Sequence, residues 1–322
     1  DARGGVTTYT YDALNRVTQI TAVLGASTKT TVFHYDNGSH AVGKLTSVSD
    51  GAALTSYAYN NQGRLSIKAQ QMGAITLMTS YAYDGTGRVS EIIYPSGKVI
   101  TYGYDNQGRI TTLGAGGQTL LNNVQYSPFG AATAWNWGNG GSYSRTLDGD
   151  GRIASYTVNG FARTLGYDAA SRLTSISDAA LQSFNYDNLD RMINYNYSAV
   201  TSTSQTFNYD AVGNRTQLTN GGSVDNYVYA TNSNRLTAIT GAHPKNYVYT
   251  ANGNLAGDGS RNYSYDARNR LVSANNSSYT HNGLGQRIKK YSTVAADYAP
   301  GDADGDNAYT TADRSVILNQ IL

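Results

Sequence analysis

Tyr102-Gly103-Tyr104-Asp105-Asn106-Gln107-Gly108-Arg109-Ile110 decides how this chain folds, because its general form, Tyr-x-Tyr-Asp-x-x-Gly-Arg-Leu, returns about every twenty residues along almost the whole sequence. Clear copies lie at Tyr9, Tyr11, Asp12, Arg16 and Val17; at Tyr81, Tyr83, Asp84, Gly87, Arg88 and Val89; and at Tyr263, Tyr265, Asp266, Arg270 and Leu271. Degraded copies centre on Asn60, Asp168, Asp187, Asp210, Tyr229 and Tyr249. A period of this length marks an architecture made by stacking one small unit, so the fold is read from the unit.

Within a unit the two tyrosines stand at i and i+2, on one face of an extended strand. Asp then opens a tight turn, its carboxylate accepting hydrogen bonds from backbone N–H groups two residues on. Gly87, Gly108 and Gly151, or Asn15, Asn234 and Asn269, fill the slot where the chain reverses through a left-handed backbone. Apolar residues after the Arg, such as Leu65 with Ile67 and Leu173 with Ile176, suit a returning strand. Each unit is therefore expected to be a β-hairpin. A lone hairpin is marginal in water, whereas tyrosines that each bury about 150–250 Å² against their neighbours offset the ordering cost. The expectation is a continuous stack of aromatic rings from consecutive hairpins.

Arg16, Arg64, Arg88, Arg109, Arg152, Arg172, Arg191, Arg215, Arg235, Arg270 and Arg287 follow these turns and make up eleven of the seventeen arginines. Such regularity reads as structural: guanidinium groups over tyrosine rings, or paired with turn aspartates of adjacent units, at about 0.5–1 kcal/mol per contact. The rival is a basic ladder for nucleic acid. A formal net charge of +2, with each repeated Arg accompanied by a turn Asp, argues against it, and no nucleic-acid partner is expected.

The 322 residues suffice for one large domain or two ordinary ones. With 28 Tyr, 35 Gly, only 14% charged residues and Glu91 as the single glutamate, an almost all-β body joined by Gly, Asn and Asp turns is the consistent reading. No apolar run approaches the ~18 residues that cross a bilayer, so no membrane span is expected. The absence of cysteine excludes disulfide bracing and thiolate chemistry and is silent on compartment. Few Lys, one Glu and many Asn, Thr and Ser fit a secreted or cell-surface product better than a cytosolic enzyme. Beginning at Asp1 without a leader, the chain reads as a processed or trimmed segment of a longer precursor.

On these motifs residues 7–291 resemble the YD-repeat, or Rhs-repeat, family. Proteins similar to this one form a long ribbon of β-hairpins that spirals into a hollow shell, either a cocoon around a toxin polypeptide or the barrel of large animal adhesion proteins. In bacteria they are secreted or displayed at the surface. The resemblance implies an all-β spiralling ribbon of stacked hairpins and an enclosed polypeptide cargo. About fourteen units are present where family shells usually have several times more, and no terminal cleavage motif of the kind that releases a toxin is visible.

Leu113 to Thr146 breaks the rhythm. Tyr126, Ser127, Pro128, Phe129 and Gly130 look like the family's variant unit, while Trp135 and Trp137 share one strand face. Two Trp at i and i+2 suit core or subunit contacts in a tyrosine-rich β-protein, or alternatively a stacking platform for a carbohydrate or protein partner.

After Tyr291 the composition changes: residues 292–301 form a small-residue linker containing Pro300, and 302–322 carry a different motif. Asp302, Asp304 and Asp306, the backbone carbonyl of Ala308 and the carboxylate of Asp313 stand at loop positions 1, 3, 5, 7 and 12, the oxygen set a calcium ion requires. Asn307 takes the position where Gly usually makes the sharp turn. Val316, Ile317, Leu318 and Ile321 then have helical spacing. Asp at position 12 followed by a helix resembles one half of a type I dockerin, which implies a cohesin-like or surface partner; a dockerin has two such halves, and one is present.

His34, His40, His243 and His281 show no metal-ligand spacing, and the Gly-rich stretches lack the Lys and Ser or Thr of a phosphate loop. No catalytic constellation is evident, so a non-enzyme is expected. The leading reading is a secreted structural repeat protein, a shell segment or a self-assembling fibre or homo-oligomer with a calcium-bound end. The alternative is a propeller-type adhesin module using Trp135 and Trp137, against which the uneven repeat spacing counts.

Overall fold

The computed structural model describes residues 1–128, 130–178, 180–198 and 204–292, and among these every regular element is a β-strand. The strands from Val6–Tyr11 to Lys245–Asn246 belong to one 23-stranded sheet, followed by sheets of two and four strands. The chain divides into two compact units. One comprises Asp1–Phe33, Val48–Leu54 and the residues from Tyr249; the other comprises His34–Ser47 and Thr55–Val248.

In the larger unit, each strand from Leu65–Met72 onward pairs antiparallel with the next in sequence, as Ile75–Tyr83 does with Val89–Ile93 and then Val89–Ile93 with Val99–Tyr104. The expected hairpin is therefore the observed one. Turns at the repeated Asp alternate with tight tips such as Gly73-Ala74 and Asn159-Gly160, and both ends of the hairpin are local in sequence. Consecutive hairpins share a single sheet rather than closing into separate four-stranded blades, which removes the propeller as a description of this body.

Register gives the sheet two different faces. Paired residues of neighbouring strands lie on the same face, and the face changes at every residue. One face carries rows such as Tyr102, Leu113, Leu121 and Trp137, or Phe184 with Tyr195 and Tyr227 with Ile239. The other carries Gly166, Ser175, Ser183 and Asn196, and Asn208, Gln217, Asn226 and Thr240. On that polar face the Asn208 amide donates to Gln217 (3.1 Å) and the Gln217 amide to Asn226 (2.9 Å), so side-chain amides form a ladder of their own.

A register shift recurs where the second repeat tyrosine meets the returning strand, between Ala82 and Tyr83, Gly166 and Tyr167, Asn185 and Tyr186, Asn208 and Tyr209, and Val228 and Tyr229. Opposite Tyr83 this leaves Ser90 as the extra residue, a β-bulge that raises local twist beside the turn. Among the described residues few apolar side chains are buried: Phe207 and Ala41 in the larger unit, and Ala22, Val48, Ala53 and Ala267 in the smaller. Most repeat tyrosines are half-buried, as befits one sheet layer.

The smaller unit contains Val6–Tyr11 and Val17–Leu24, which pair, and the four-stranded sheet Tyr263–Tyr265, Leu271–Ala274, Ser277–His281 and Arg287–Ser292. The expected calcium loop, with Asp302, Asp304, Asp306, Ala308 and Asp313, its helix and nearly all of the 292–301 linker lie outside the described residues. No helix among the described residues is long and apolar enough to cross a membrane.

Candidate functional site

The repeated turn is a closed box of hydrogen bonds. At Asp84 the backbone amide donates to the Arg88 carbonyl (2.9 Å) and the Gly87 amide donates to the Asp84 carbonyl (3.0 Å). One carboxylate oxygen, Oδ1, accepts from the Thr86 and Arg88 amides, both at 2.9 Å; the other, Oδ2, accepts from Arg88 Nε at 2.7 Å. A single Asp thus satisfies backbone donors that the tight reversal would otherwise leave unpaired. The same Nε-to-carboxylate bond closes the boxes at Asp12, Asp105, Asp148, Asp168, Asp187 and Asp266. The arginine therefore pairs with the aspartate of its own turn, where the adjacent unit's was expected, because four residues of tight turn bring the two side chains together.

These bonds hold the carboxyls in their charged form. At Asp12 and Asp187 the amides of Arg16 and Arg191 lead in lowering the pKa. At Asp84 and Asp105 partial burial works to raise it, and the combined hydrogen bonds from the Arg amide, guanidinium and turn amides outweigh that and place it below the ordinary value.

Successive boxes are joined by the second tyrosine. Tyr104 donates its phenol to the carbonyl of Val89, the residue after the preceding arginine, at 2.6 Å. Arg88 itself lies over the Tyr104 ring, 4.5 Å from its centroid, and donates from Nη1 to the Asp105 carbonyl at 3.2 Å. Tyr83, Tyr126, Tyr167, Tyr186 and Tyr209 donate in the same way to Leu65, Ile110, Ile153, Leu173 and Met192. Arg64, Arg109, Arg152, Arg172 and Arg191 cover those five rings at 4.6–5.4 Å. Arginine over tyrosine is as expected; along these second tyrosines it takes the place of the expected ring-on-ring column, since the arginine reaches from its own turn into the space between them, while ring pairs remain at Tyr143 with Tyr156 and Phe184 with Tyr195.

The fourth turn residue also answers to the preceding arginine. Gly87 and Gly108 have φ values of 92° and 83°, and Arg64 and Arg88 lie against them. Where a side chain replaces Gly it bonds the incoming group instead: Arg152 donates to Ser171 Oγ (2.9 Å), and Arg172 pairs with Asp190 (2.6 Å). Ser171, Asp190, Asn15 and Asn269 do adopt positive φ. Asn234 does not stand among the positive-φ residues, because the turn from Ala230 to Arg235 is one residue longer and closes through the Ala230 amide and Arg235 carbonyl.

Two of the repeated arginines are offset. In the Asp210 box Asn214 supplies the closing side chain, so Arg215 begins the returning strand and lies over Phe207 and Tyr227. In the Asn282 box Gln286 takes that place and Arg287 lies over Tyr279. The boxes at Asp36 and Asp1 escaped the motif. Asp36 closes with Lys44 across a longer loop, and Lys44 then covers Tyr59, whose phenol donates to Leu45. Gly-Lys-Leu at 43–45 was the available signal. Asp148 follows Leu147 in place of tyrosine, and Asp1 accepts from the Arg3 and Gly5 amides as a turn Asp does.

Trp135 and Trp137 both lie on the strand Ala132–Trp137. Trp135 stacks on Tyr143 with centroids 4.0 Å apart, and Trp137 meets Trp135 edge to face at 5.5 Å and 89°. The buried Trp135 indole N–H has no acceptor among the described residues. The two indole planes are perpendicular, so they do not offer one flat surface. Ser127 and Gly130 form the expected variant turn, with Ala131 in the arginine's position; Phe129 lies outside the described residues. Among the described residues no group of three or more His, Cys, Asp and Glu side chains is placed to hold a metal ion.

The RHS Repeat family model matches residues 1–28 and 83–119. No curated protein matches the chain. Among solved structures, TcdB2-TccC3 without its hypervariable C-terminal region superposes with a TM-score of 0.78 at 15% identity, covering 92% of this chain and 19% of that one. A Photorhabdus luminescens Tc holotoxin pore carrying a TccC3 mutation gives 0.77 at 15% identity, with 90% and 18% covered. The chain spans about a fifth of the length of the structures it matches. The family model thus covers two segments of the array, and the likeness to TcdB2-TccC3 shows the fold, an all-β array of hairpins.

Proposed function

We propose that this protein is a non-catalytic structural segment, exported to the cell surface or beyond, that builds part of a shell or a self-assembling fibre. The observation that carries the reading is the ladder: in the described residues the recurring polar side chains of the turns are spent on closing boxes and joining them, which suits a scaffold. Its fold is shared with TcdB2-TccC3, of which it matches less than a fifth, and a segment of a larger enclosure is consistent with that proportion. A polypeptide cargo held against the tyrosine-rich face is the partner this reading names. Negative-stain imaging of the purified protein tests it: closed particles or fibres support a structural role, and uniformly monomeric protein at all concentrations overturns self-assembly.

Attachment is assigned to the carboxyl end. Asp302, Asp304, Asp306, the Ala308 carbonyl and Asp313 would hold Ca²⁺, in a dockerin-like half that docks on a cohesin-like surface or on another subunit. Calorimetric titration with calcium tests the loop; absence of binding in the intact chain and unchanged assembly on chelation overturn it.

A further inference from the structure

Within the smaller unit the last repeats are seated on the first strands. Arg268 donates from Nη1 to Thr31 Oγ1 (2.9 Å) and to the Gly283 carbonyl (3.0 Å), while Arg3 donates to the Asp266 carbonyl (3.1 Å) and Asn252 to Asp1 Oδ2 (2.8 Å). Gly283 leaves no room for a side chain: a Cβ there would stand 2.6 Å from Val48 Cγ1 and 2.8 Å from Thr31 Cγ2. Thr31 and Val48 are 1% exposed and Asn282 is fully buried. The covering is specific to these turns. Leu14, Leu189 and Val212, which hold the position of Arg268 in their own boxes, are 66–72% exposed.

We propose that this clasp is exchangeable, so that the surface of Thr31 and Val48 in one molecule receives the Asp266 and Asn282 turns of a second copy of the same chain. Donor and receiver are 237 residues apart in sequence yet complementary down to the missing Cβ of Gly283. The contacts made are the same whether the two parts belong to one chain or two, so protein concentration and the ease of opening decide between them. The interface is heterologous: a chain that gives its turns to one neighbour has its own receiver free for another, and repetition yields an open polymer or a closed ring. This deepens the self-assembly proposed above and rests on it.

Complementation tests the exchange. Gly283→Val spoils the donor and leaves the receiver; Val48→Arg spoils the receiver and leaves the donor. Each variant alone is expected to remain monomeric by light scattering, and an equimolar mixture to give a 1:1 complex of roughly twice the 34.4 kDa chain mass. A mixture that stays monomeric while both variants keep their β-sheet circular dichroism overturns the proposal. Should either variant lose that signal, wild-type protein refolded at low and high concentration serves instead. A dimer that grows with concentration supports exchange, and monomer throughout refutes it. Wild-type particles or fibres without complementation would sink the clasp alone, whereas complementation without any particle or fibre would sink the shell or fibre reading alone.

Discussion

Gly87 has two tasks, and substituting alanine there and at Gly151 separates them. Both glycines have positive φ, 92° and 78°, so an L side chain costs about 1–2 kcal/mol of backbone strain at either site. At Gly151 nothing lies within 4 Å of an added Cβ, and that strain is the whole expectation. At Gly87 the Cβ would meet Arg64 Nη2 and Cζ, the latter at 2.6 Å, and would push the guanidinium from its seat 5.4 Å from the Tyr83 ring centroid. That adds about 0.5–1 kcal/mol, a further two- to fivefold in a local opening constant. Because a repeat array does not guarantee a single cooperative transition, the assay is hydrogen exchange at the Arg88 and Arg152 amides, each bonded to a turn aspartate at 2.9 Å. Gly87→Ala should lose more protection than Gly151→Ala, and prior Arg64→Ala should remove the excess. Equal losses at the two sites, or full additivity of Gly87→Ala with Arg64→Ala, would refute the packing of one turn's arginine against the next turn's glycine.

Tyr104→Phe should cost about 0.5–1.5 kcal/mol and raise exchange around Val89, whose carbonyl loses its phenol donor; an unaltered denaturation profile and exchange pattern would count against the ladder. Asp12, Asp84, Asp105, Asp148, Asp168, Asp187, Asp210 and Asp266 all have lowered pKa values in the fold. Their stabilisation is present above the unfolded carboxyl value of about 3.9 and is lost as pH falls through the lower folded values. The β-sheet signal should therefore hold to about pH 4 and fall below it; a fall complete by pH 5 would show that other groups govern acid unfolding. Asp302→Ala combined with Asp306→Ala should abolish calcium binding in the intact chain, and retained stoichiometric binding would place the ion elsewhere.

The hairpin and its turn were legible because they are local. Tyr83, Asp84, Gly87 and Arg88 lie within six residues, and the bonds that close the box lie among them. Strand pairing follows from the same locality, since each strand meets the next in sequence. The Asp36 box was missed because its inserted loop disrupts the spacing while leaving Tyr35, Asp36, Gly43 and Lys44 in place. Arg215 was misplaced because Asn214, an uncharged residue, makes the equivalent bond to Asp210. For the Trp135 and Trp137 pair, the alternation of the strand gave the shared face, but the perpendicular rings depend on Tyr143 across the sheet.

Period, composition and turn chemistry were enough to determine that this protein is an all-β array of hairpins, because hydrogen bonds inside a five-residue turn need no information from elsewhere. Tertiary structure alone decided what lies between the units. Whether Arg88 covers Tyr104, whether Gly283 fits against Val48, and which turns are open or covered depend on the distance and twist at which strands stack, and on contacts that cross 237 residues of chain. A repeat motif specifies each unit, whereas the space left by the assembled neighbours selects the partners of its long side chains.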